Sequence, residues 1–183
     1  GRYPKELSNN TNFLITEFKK MADKLLSEIH NNSPNEVKNS YSMPLNHMIK
    51  DSSTNLLRVI HYPPLNDNKA PSAIRAGAHE DINLITLLVA GSEPGLQVLS
   101  KDNKWVDVST SSEYIVVNIG DMLQECSGGY FPSTTHRVIN PSDKNMSRYS
   151  MPFFVHARDD VSLSKKYTAK SYLEERLKEI GLK

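Results

Sequence analysis

Apolar residues recur at three- and four-residue intervals in two stretches of the chain, one near each end of the sequence. Across residues 11–30 these positions alternate with charged side chains, which predicts a long amphipathic helix. Asn9, Asn10 or Thr11 is the expected N-cap, because a short polar side chain can accept a hydrogen bond from the first free N–H groups. Residues 168–180 repeat the pattern and predict a second helix.

The sequence between these helices changes character at residue 56. Residues 31–55 are polar and interrupted by Pro34 and Pro44, so we expect a connection with at most short helical turns. Further on, short runs rich in Val, Ile, Leu and Tyr alternate with turn-forming residues, as in β-strands. The eight runs are NLLRVIHY, AIRAGAHE, NLITLLVA, GLQVLS, KWVDVS, YIVVNI, THRVIN and RYSMPFFVHA. They predict a mainly β fold with flanking helices, built as an antiparallel sandwich or barrel.

Composition and charge exclude some classes of partner. The length of 183 residues fits one domain with a sizeable core. Because 22 Lys and Arg balance 21 Asp and Glu, the net charge of +1 provides no field that would attract nucleic acid or a membrane surface. No run is long and apolar enough to form a membrane helix. Cys126 is the single cysteine of the sequence, which excludes an internal disulfide and favours a reducing, cytoplasmic location.

Two titratable residues stand two positions apart at the start of a strongly apolar run. In GAHEDINLIT, strand alternation places His79 and Asp81 on one face and Glu80 on the other. His136, flanked by β-branched residues in another predicted strand, is the best candidate for a third ligand. Two imidazoles and one carboxylate are the ligand set of non-haem Fe(II) oxygenases. The same residues could bind Zn, so the residue types alone leave the metal open.

A second pair of polar residues follows the distal histidine. Arg148 lies twelve residues after His136, and Ser150 lies two positions further, on the same strand face. A guanidinium binds a carboxylate through two parallel hydrogen bonds, and a nearby hydroxyl can donate a third. The pair therefore predicts a receptor for a dicarboxylate tail. A 2-oxoglutarate oxygenase requires such a receptor beside its iron, since one end of the cosubstrate chelates the metal and the far carboxylate must be held.

The order of these motifs resembles the isopenicillin N synthase-like family of 2-oxoglutarate- and Fe(II)-dependent oxygenases. H-x-D, a distal His and R-x-S occur in AHED, STTHRV and SRYSMPFF, and segments such as LLRVIHYPP and YIVVNIGDMLQ follow in the family's order. The resemblance implies a double-stranded β-helix, or jelly roll, with the metal inside the barrel mouth. We expect residues 56–157 to form this core, residues 1–55 a helical and loop segment packing on the barrel, and residues 158–183 a C-terminal helical segment.

Site residues follow from the resemblance by position. His79, Asp81 and His136 would be the catalytic iron ligands, and Arg148 and Ser150 would hold the distal carboxylate of 2-oxoglutarate, with O2 as the second cosubstrate.

The sequence departs from the family pattern in two places. Tyr62 in HYPP matches a family tyrosine that can also reach the cosubstrate, but Ile60 stands where plant members have Asn. Family members also carry further residues before the region that matches GRYPKEL. The chain is therefore expected to lack the family's N-terminal part and, with it, a share of the substrate pocket.

The expected function is oxidation of a small molecule with release of succinate and CO2. One alternative is a 2-oxoglutarate-independent Fe(II) oxidase of the isopenicillin N synthase type, in which R-x-S holds a substrate carboxylate instead. Another is a non-catalytic jelly-roll module that only binds. A Zn hydrolase fits less well, because it leaves Arg148 and Ser150 without a role.

Overall fold

The computed structural model describes residues 4–64, 74–89, 91–109, 111, 113–140 and 146–182. The helical elements are a 3-10 turn (Lys5–Leu7), α1 (Ser8–Asn32), α2 (Asn35–Lys38), α3 (Leu45–Met48), α4 (Asp121–Cys126) and α5 (Ala169–Glu179). The strands are β1 (Leu56–Leu57), β2 (Ile60–Tyr62), β3 (Ile74–His79), β4 (Ile85–Val89), β5 (Leu96–Leu99), β6 (Trp105–Asp107), β7 (Ile115–Ile119), β8 (His136–Ile139) and β9 (Arg148–Val155).

These strands form two antiparallel sheets, as the sequence pattern predicts. The larger sheet has the order β1–β9–β4–β7, and β2 also pairs with β9. The smaller sheet has the order β3–β8–β5–β6. Because β3 belongs to one sheet and β4 to the other, the connection between them crosses from sheet to sheet. Residues 80–84 make this crossing.

Side-chain alternation in the larger sheet separates an apolar core from a polar cavity. On β4, Ile85 and Leu87 join the core beneath the helices, whereas Thr86 faces a cavity between the sheets. On β9, Phe153 joins the same core and Ser150 faces the cavity. The period-2 pattern of the sequence therefore fixes which side chains can take part in a site.

Helix α1 covers the outer side of the larger sheet. Its apolar stripe buries Phe18, Ala22 and Leu26, and the Phe18 ring stacks on Phe153 with 5.4 Å between ring centroids. The helix is confirmed, but the N-cap prediction is wrong. The 3-10 turn leads directly into α1, so Leu7 occupies the N-cap position without a side-chain hydrogen bond.

The second predicted helix begins at a polar cap. The Thr168 side chain accepts a hydrogen bond from the Ser171 backbone N–H, and the Ser171 hydroxyl accepts one from the Thr168 N–H. This reciprocal arrangement satisfies two N–H groups at the start of α5. The polar stretch over residues 31–55 contains only the two short helices α2 and α3, as expected. Among the described residues, none of the helices has the length and apolar character needed to span a bilayer.

One predicted strand divides into two. The run NLLRVIHY gives β1 and β2, which pair with β9 in a continuous register, with Leu57 opposite Phe153 and Ile60 opposite Ser150. Between them the Arg58 N–H donates to the Pro152 carbonyl at 3.0 Å. Proline has no N–H to return that hydrogen bond, so the ladder is interrupted at this point.

Candidate functional site

The three residues predicted as metal ligands meet in space. Each of His79, Asp81 and His136 offers one ligand atom, and these atoms lie within 4.8 Å of one another. The two imidazoles face each other across the β3–β8 pair, with 4.3 Å between ring centroids, and Nε2 of His136 lies 3.9 Å from Oδ1 of Asp81. Two imidazoles and a carboxylate at this spacing form a donor set that suits a divalent transition metal.

The sequence argument for this cluster was wrong in one detail. It treated His79 and Asp81 as neighbours on one strand face, but β3 ends at His79 and Asp81 lies in the connection to β4. The pairing of β3 with β8 is also irregular between Ala76 and His79. Simple alternation therefore does not bring the pair together; the crossing between the two sheets does.

Backbone carbonyls set the orientation of both imidazoles. Nδ1 of His79 lies 2.8 Å from the Gly77 carbonyl, and Nδ1 of His136 lies 2.9 Å from the Thr134 carbonyl. Because a carbonyl oxygen only accepts, each Nδ1 carries the proton and donates it. The lone pair of each ring is then on Nε2, which is the arrangement found in metal-binding histidines.

Asp81 is held by a short chain of side-chain hydrogen bonds. The Thr86 hydroxyl donates to Oδ2 of Asp81 at 2.6 Å, and the Asn83 amide donates to the Thr86 hydroxyl at 2.9 Å. All three residues are buried. The Thr86 hydroxyl occupies Oδ2, so Oδ1 of Asp81, the oxygen nearer Nε2 of His136, is the one that could bind a metal.

Arg148 is a buried cation with an unused hydrogen-bond donor. Only 1% of the residue is exposed, and its Nε donates to the Glu93 carbonyl at 3.0 Å. Its Nη1 has no hydrogen-bond partner among the described residues. Burial lowers the pKa of the guanidinium, an effect that Arg75 reinforces and Tyr62 opposes. A buried, partly unpaired guanidinium is the feature expected of a receptor for a carboxylate.

The neighbours of Arg148 complete this receptor. Ser150 lies two residues along β9 on the same face, and the Tyr62 ring, opposite Arg148 on β2, has its centroid 5.5 Å from the guanidinium carbon. A Cβ at Gly91 would lie 2.5 Å from Nη2 of Arg148. Glycine at this position therefore leaves the space that the guanidinium occupies. Ile60, the departure from the family pattern, lies opposite Ser150 and also faces the cavity.

A single cavity of about 170 Å³ joins two groups of residues. One is the candidate metal-binding cluster of His79, Asp81 and His136, and the other is the Arg148 receptor, formed by Arg148 with Ser150 and Tyr62. His79, Asp81, His136, Arg148, Ser150 and Tyr62 all line it. The structure thus brings together every site residue that the sequence predicts.

Sequence reasoning missed other residues that line or shape this cavity. Arg58, Thr86, Asn118 and Phe154 contribute to its wall, and Gly91 packs against Arg148. A signal for Arg58 was present, because it precedes Ile60 and Tyr62 at intervals of two and so shares their face. The others follow from strand pairing, which a single sequence does not reveal.

These features define a jelly-roll protein in which a His-Asp-His cluster that could hold a metal ion and a buried arginine share one cavity between the two sheets. The chain belongs to the 2OG-Fe(II) oxygenase superfamily, whose sequence model matches residues 53–157. The family prediction is therefore confirmed.

Individual relatives agree with this assignment. The chain is 35% identical over 141 residues to gibberellin 2-beta-dioxygenase 3 of Arabidopsis thaliana, covering 76% of this chain and 40% of that protein. It is 38% identical over 105 residues to a 2-oxoglutarate-Fe(II) type oxidoreductase of Aspergillus fumigatus, covering 57% and 31%. The chain thus spans well under half the length of these curated relatives.

Solved structures extend the likeness to the whole fold. A protein of Shewanella oneidensis is 50% identical with a TM-score of 0.92, covering 100% of this chain and 68% of that one. A full-length protein of Neurospora crassa, solved in complex with alpha-KG, which is 2-oxoglutarate, is 25% identical with a TM-score of 0.75, covering 96% and 58%. The jelly-roll prediction is confirmed by these neighbours.

Proposed function

We propose that the protein is a non-haem Fe(II)- and 2-oxoglutarate-dependent oxygenase that oxidises a small organic molecule and releases succinate and CO2. The observation that carries the proposal is the presence, in one cavity, of the metal-binding cluster and the buried Arg148, whose Nη1 has no partner in the described part of the chain. Family membership and the 2-oxoglutarate complex of the Neurospora relative support it.

Each residue of the cluster supplies one donor atom in this proposal. Nε2 of His79, Nε2 of His136 and Oδ1 of Asp81 would hold the ferrous ion. The bound ion supplies the O2-activating chemistry. Carbonyl hydrogen bonds to each Nδ1 and the Thr86 hydroxyl on Oδ2 keep the three donor atoms aligned.

The Arg148 receptor positions 2-oxoglutarate relative to the metal. Nη1 of Arg148 and the Ser150 hydroxyl donate hydrogen bonds to the distal carboxylate, and Tyr62 is a further contact at this end. Burial makes these charge-assisted hydrogen bonds stronger than they would be in water. The apolar side chains between the two ends, Leu88 and Val138 among them, exclude water from the cosubstrate's methylene groups.

Partners, location and chain organisation belong to the same proposal. We assign a small-molecule prime substrate, with no nucleic-acid or membrane partner, from the near-zero net charge. The single, buried Cys126 supports a cytoplasmic location. The division into segments 1–55, 56–157 and 158–183 is supported by the family match over residues 53–157.

Anaerobic titration with Fe(II) and then 2-oxoglutarate tests this function. We expect metal binding followed by a weak visible charge-transfer band from the chelate, and succinate once O2 is admitted. Asp81→Ala should lose metal binding and turnover together. Arg148→Ala should retain the metal but require a higher 2-oxoglutarate concentration. Metal binding without the band or succinate would favour the 2-oxoglutarate-independent type, and full activity of Asp81→Ala would contradict the metal site.

A further inference from the structure

A second arginine lines the same cavity at its exposed end. Arg58, Ile60 and Tyr62 alternate along one strand direction and all face the cavity. Tyr62 lies beside the buried Arg148, whereas Arg58 is exposed and its backbone pairs with Pro152, four residues along β9 from Arg148. Four residues of strand span about 13 Å. The backbone positions of the two arginines therefore lie at opposite ends of the cavity wall.

The Arg58 side chain has no partner of its own in the part of the chain that the structure describes. It takes part in none of the ion pairs or side-chain hydrogen bonds formed there. Asp81 is the one carboxylate among the described lining residues, and it belongs to the metal-binding cluster. Arg58 thus brings a positive charge to the cavity that the described residues do not balance.

The loaded site would keep this charge excess. On the proposed function, the two positive charges of the ferrous ion and that of Arg148 are balanced by Asp81 and by the two carboxylates of 2-oxoglutarate. The histidines are neutral when they bind metal. One unit of positive charge then remains among the described lining residues, and it is that of Arg58.

2-Oxoglutarate is short compared with the separation of the two arginine positions on the strands. Its five-carbon chain has four C–C bonds of about 1.5 Å each, less than half of the separation between the two strand positions. Arg148, which is buried and has Ser150 beside it, is the better match for that dianion. Arg58 is therefore available to another ligand.

We infer that Arg58 selects a small organic carboxylate as the prime substrate. A guanidinium binds a carboxylate through two parallel hydrogen bonds, which fixes both distance and orientation. Ile60, Pro152 and Phe154 line the cavity next to Arg58 and form an apolar wall for the body of such a molecule. The inference rests on the proposed function, because it assumes that the Arg148 end is filled by 2-oxoglutarate.

Matched pairs of acids and amides test the inference. Phenylacetate with phenylacetamide, and hexanoate with hexanamide, are titrated into anaerobic protein loaded with Fe(II) and 2-oxoglutarate. Paramagnetic broadening of the probe's proton NMR signals reports binding close to the iron. We expect each acid to bind at least about tenfold more tightly than its amide, since hydrogen bonds to a charged group carry that much discrimination.

Three variants assign the preference to Arg58. Arg58→Gln should abolish the preference for acids and leave the 2-oxoglutarate affinity unchanged, whereas Arg58→Lys should retain part of it. Lys24→Gln is the matched control, because it removes one exposed positive charge from α1, away from the cavity, and should behave as wild type.

Failure of the inference is distinct from failure of the proposed function. If the charge-transfer band forms but wild type binds neither member of a pair, or binds both equally, the inference is overturned and the function stands. The same holds if Arg58→Gln retains the preference for acids. If neither the band nor succinate forms in wild type, it is the proposed function that fails.

Discussion

At the scale of single residues, Thr86 links the apolar strand β4 to the metal-binding cluster. Its hydroxyl donates to Asp81 and accepts from Asn83, and only 1% of the residue is exposed. We predict that Thr86→Val, which keeps the shape and removes the hydroxyl, lowers Fe(II) affinity by about 10–100-fold, the usual effect of losing such an outer hydrogen bond. Anaerobic calorimetry measures this directly.

Thr86→Ser is the matched control for that experiment. It keeps the hydroxyl, so its Fe(II) affinity should stay close to that of wild type. Circular dichroism should show that both variants are folded. Equal affinities for Thr86→Val and wild type would mean that Asp81 needs no hydrogen bond to hold its orientation.

Gly91 gives a second prediction at this scale, on the opposite end of the cavity. In Gly91→Ala the new methyl group would lie 2.5 Å from Nη2 of Arg148. The guanidinium, rather than the backbone, has to move away from its receptor position. We therefore expect the dissociation constant of 2-oxoglutarate to rise by about tenfold or more, as when a charged hydrogen bond is lost.

Two readouts separate displacement of the arginine from a general defect. Fe(II) affinity and the thermal midpoint of Gly91→Ala should remain near the wild-type values, because the metal cluster and the apolar core are not touched. A fall in 2-oxoglutarate affinity, Fe(II) affinity and thermal midpoint together would indicate that the substitution disturbs the fold instead.

The sequence predicted the residues that meet in the cavity and missed those that place them. His79, Asp81, His136 and the Arg148 pair were recognisable because their side-chain types are chemically specific and their spacing is regular. Thr86 sits in an apolar run and resembles an ordinary strand residue. Its role depends on the crossing between two sheets, which is a three-dimensional relation that spacing along one chain does not encode.

At the scale of elements, α1 stabilises the strand that carries the carboxylate receptor. Phe18 is 4% exposed and stacks on Phe153, whose neighbours along β9 face the cavity. We predict that Phe18→Ala lowers the free energy of unfolding by about 3–5 kcal/mol, the range for removing a buried aromatic ring. Urea denaturation measures it.

The same helix offers the control. Phe13 is 64% exposed, so Phe13→Ala should change the free energy of unfolding by less than about 0.5 kcal/mol. If the two variants lost equal stability, helix propensity rather than packing on β9 would be the cause. The sequence pattern predicted α1 but not this contact, because periodicity gives the buried face of a helix without naming the surface that covers it.

Strand breaks show a similar limit at this scale. The run NLLRVIHY looks like one strand, and its register with β9 is indeed continuous. It divides because Pro152 lies on the partner strand, where its missing N–H cannot be read from the run itself. The local sequence pattern predicts that a strand is present, whereas the position at which the strand ends depends on the strand that pairs with it.

At the scale of the whole molecule, the site joins the two sheets. His79 and His136 come from the smaller sheet, and Arg148 and Ser150 come from the larger one. Asp81 lies on the connection between them. An ion and a cosubstrate bound together would therefore contact both layers at once.

The stability of the whole molecule should also depend on pH, through histidines outside the site. Burial lowers the pKa of His156. The Phe154 carbonyl, Asp81 and the Thr54 carbonyl act to raise it, but burial has the larger effect. Burial likewise lowers the pKa of His30, with Lys38 and His47 acting in the same direction. In the unfolded chain both imidazoles have the ordinary value of about 6.5.

The direction of the effect follows from proton linkage. Below about pH 6.5 the unfolded chain binds protons that the folded protein does not. The free energy of unfolding therefore falls as the pH decreases below about 6.5. Above that pH, the stabilising contribution of each neutral, buried histidine is complete. Each group contributes a slope of at most about 1.4 kcal/mol per pH unit. Urea denaturation of the metal-free protein at about pH 7 and about pH 5 measures the difference.

His156→Gln has no proton to gain, so its stability should fall less than that of wild type between these pH values. His30→Gln should separately reduce the loss of stability. If His156→Gln lost as much stability as wild type between the two pH values, burial of that imidazole would not be the source of the acid sensitivity.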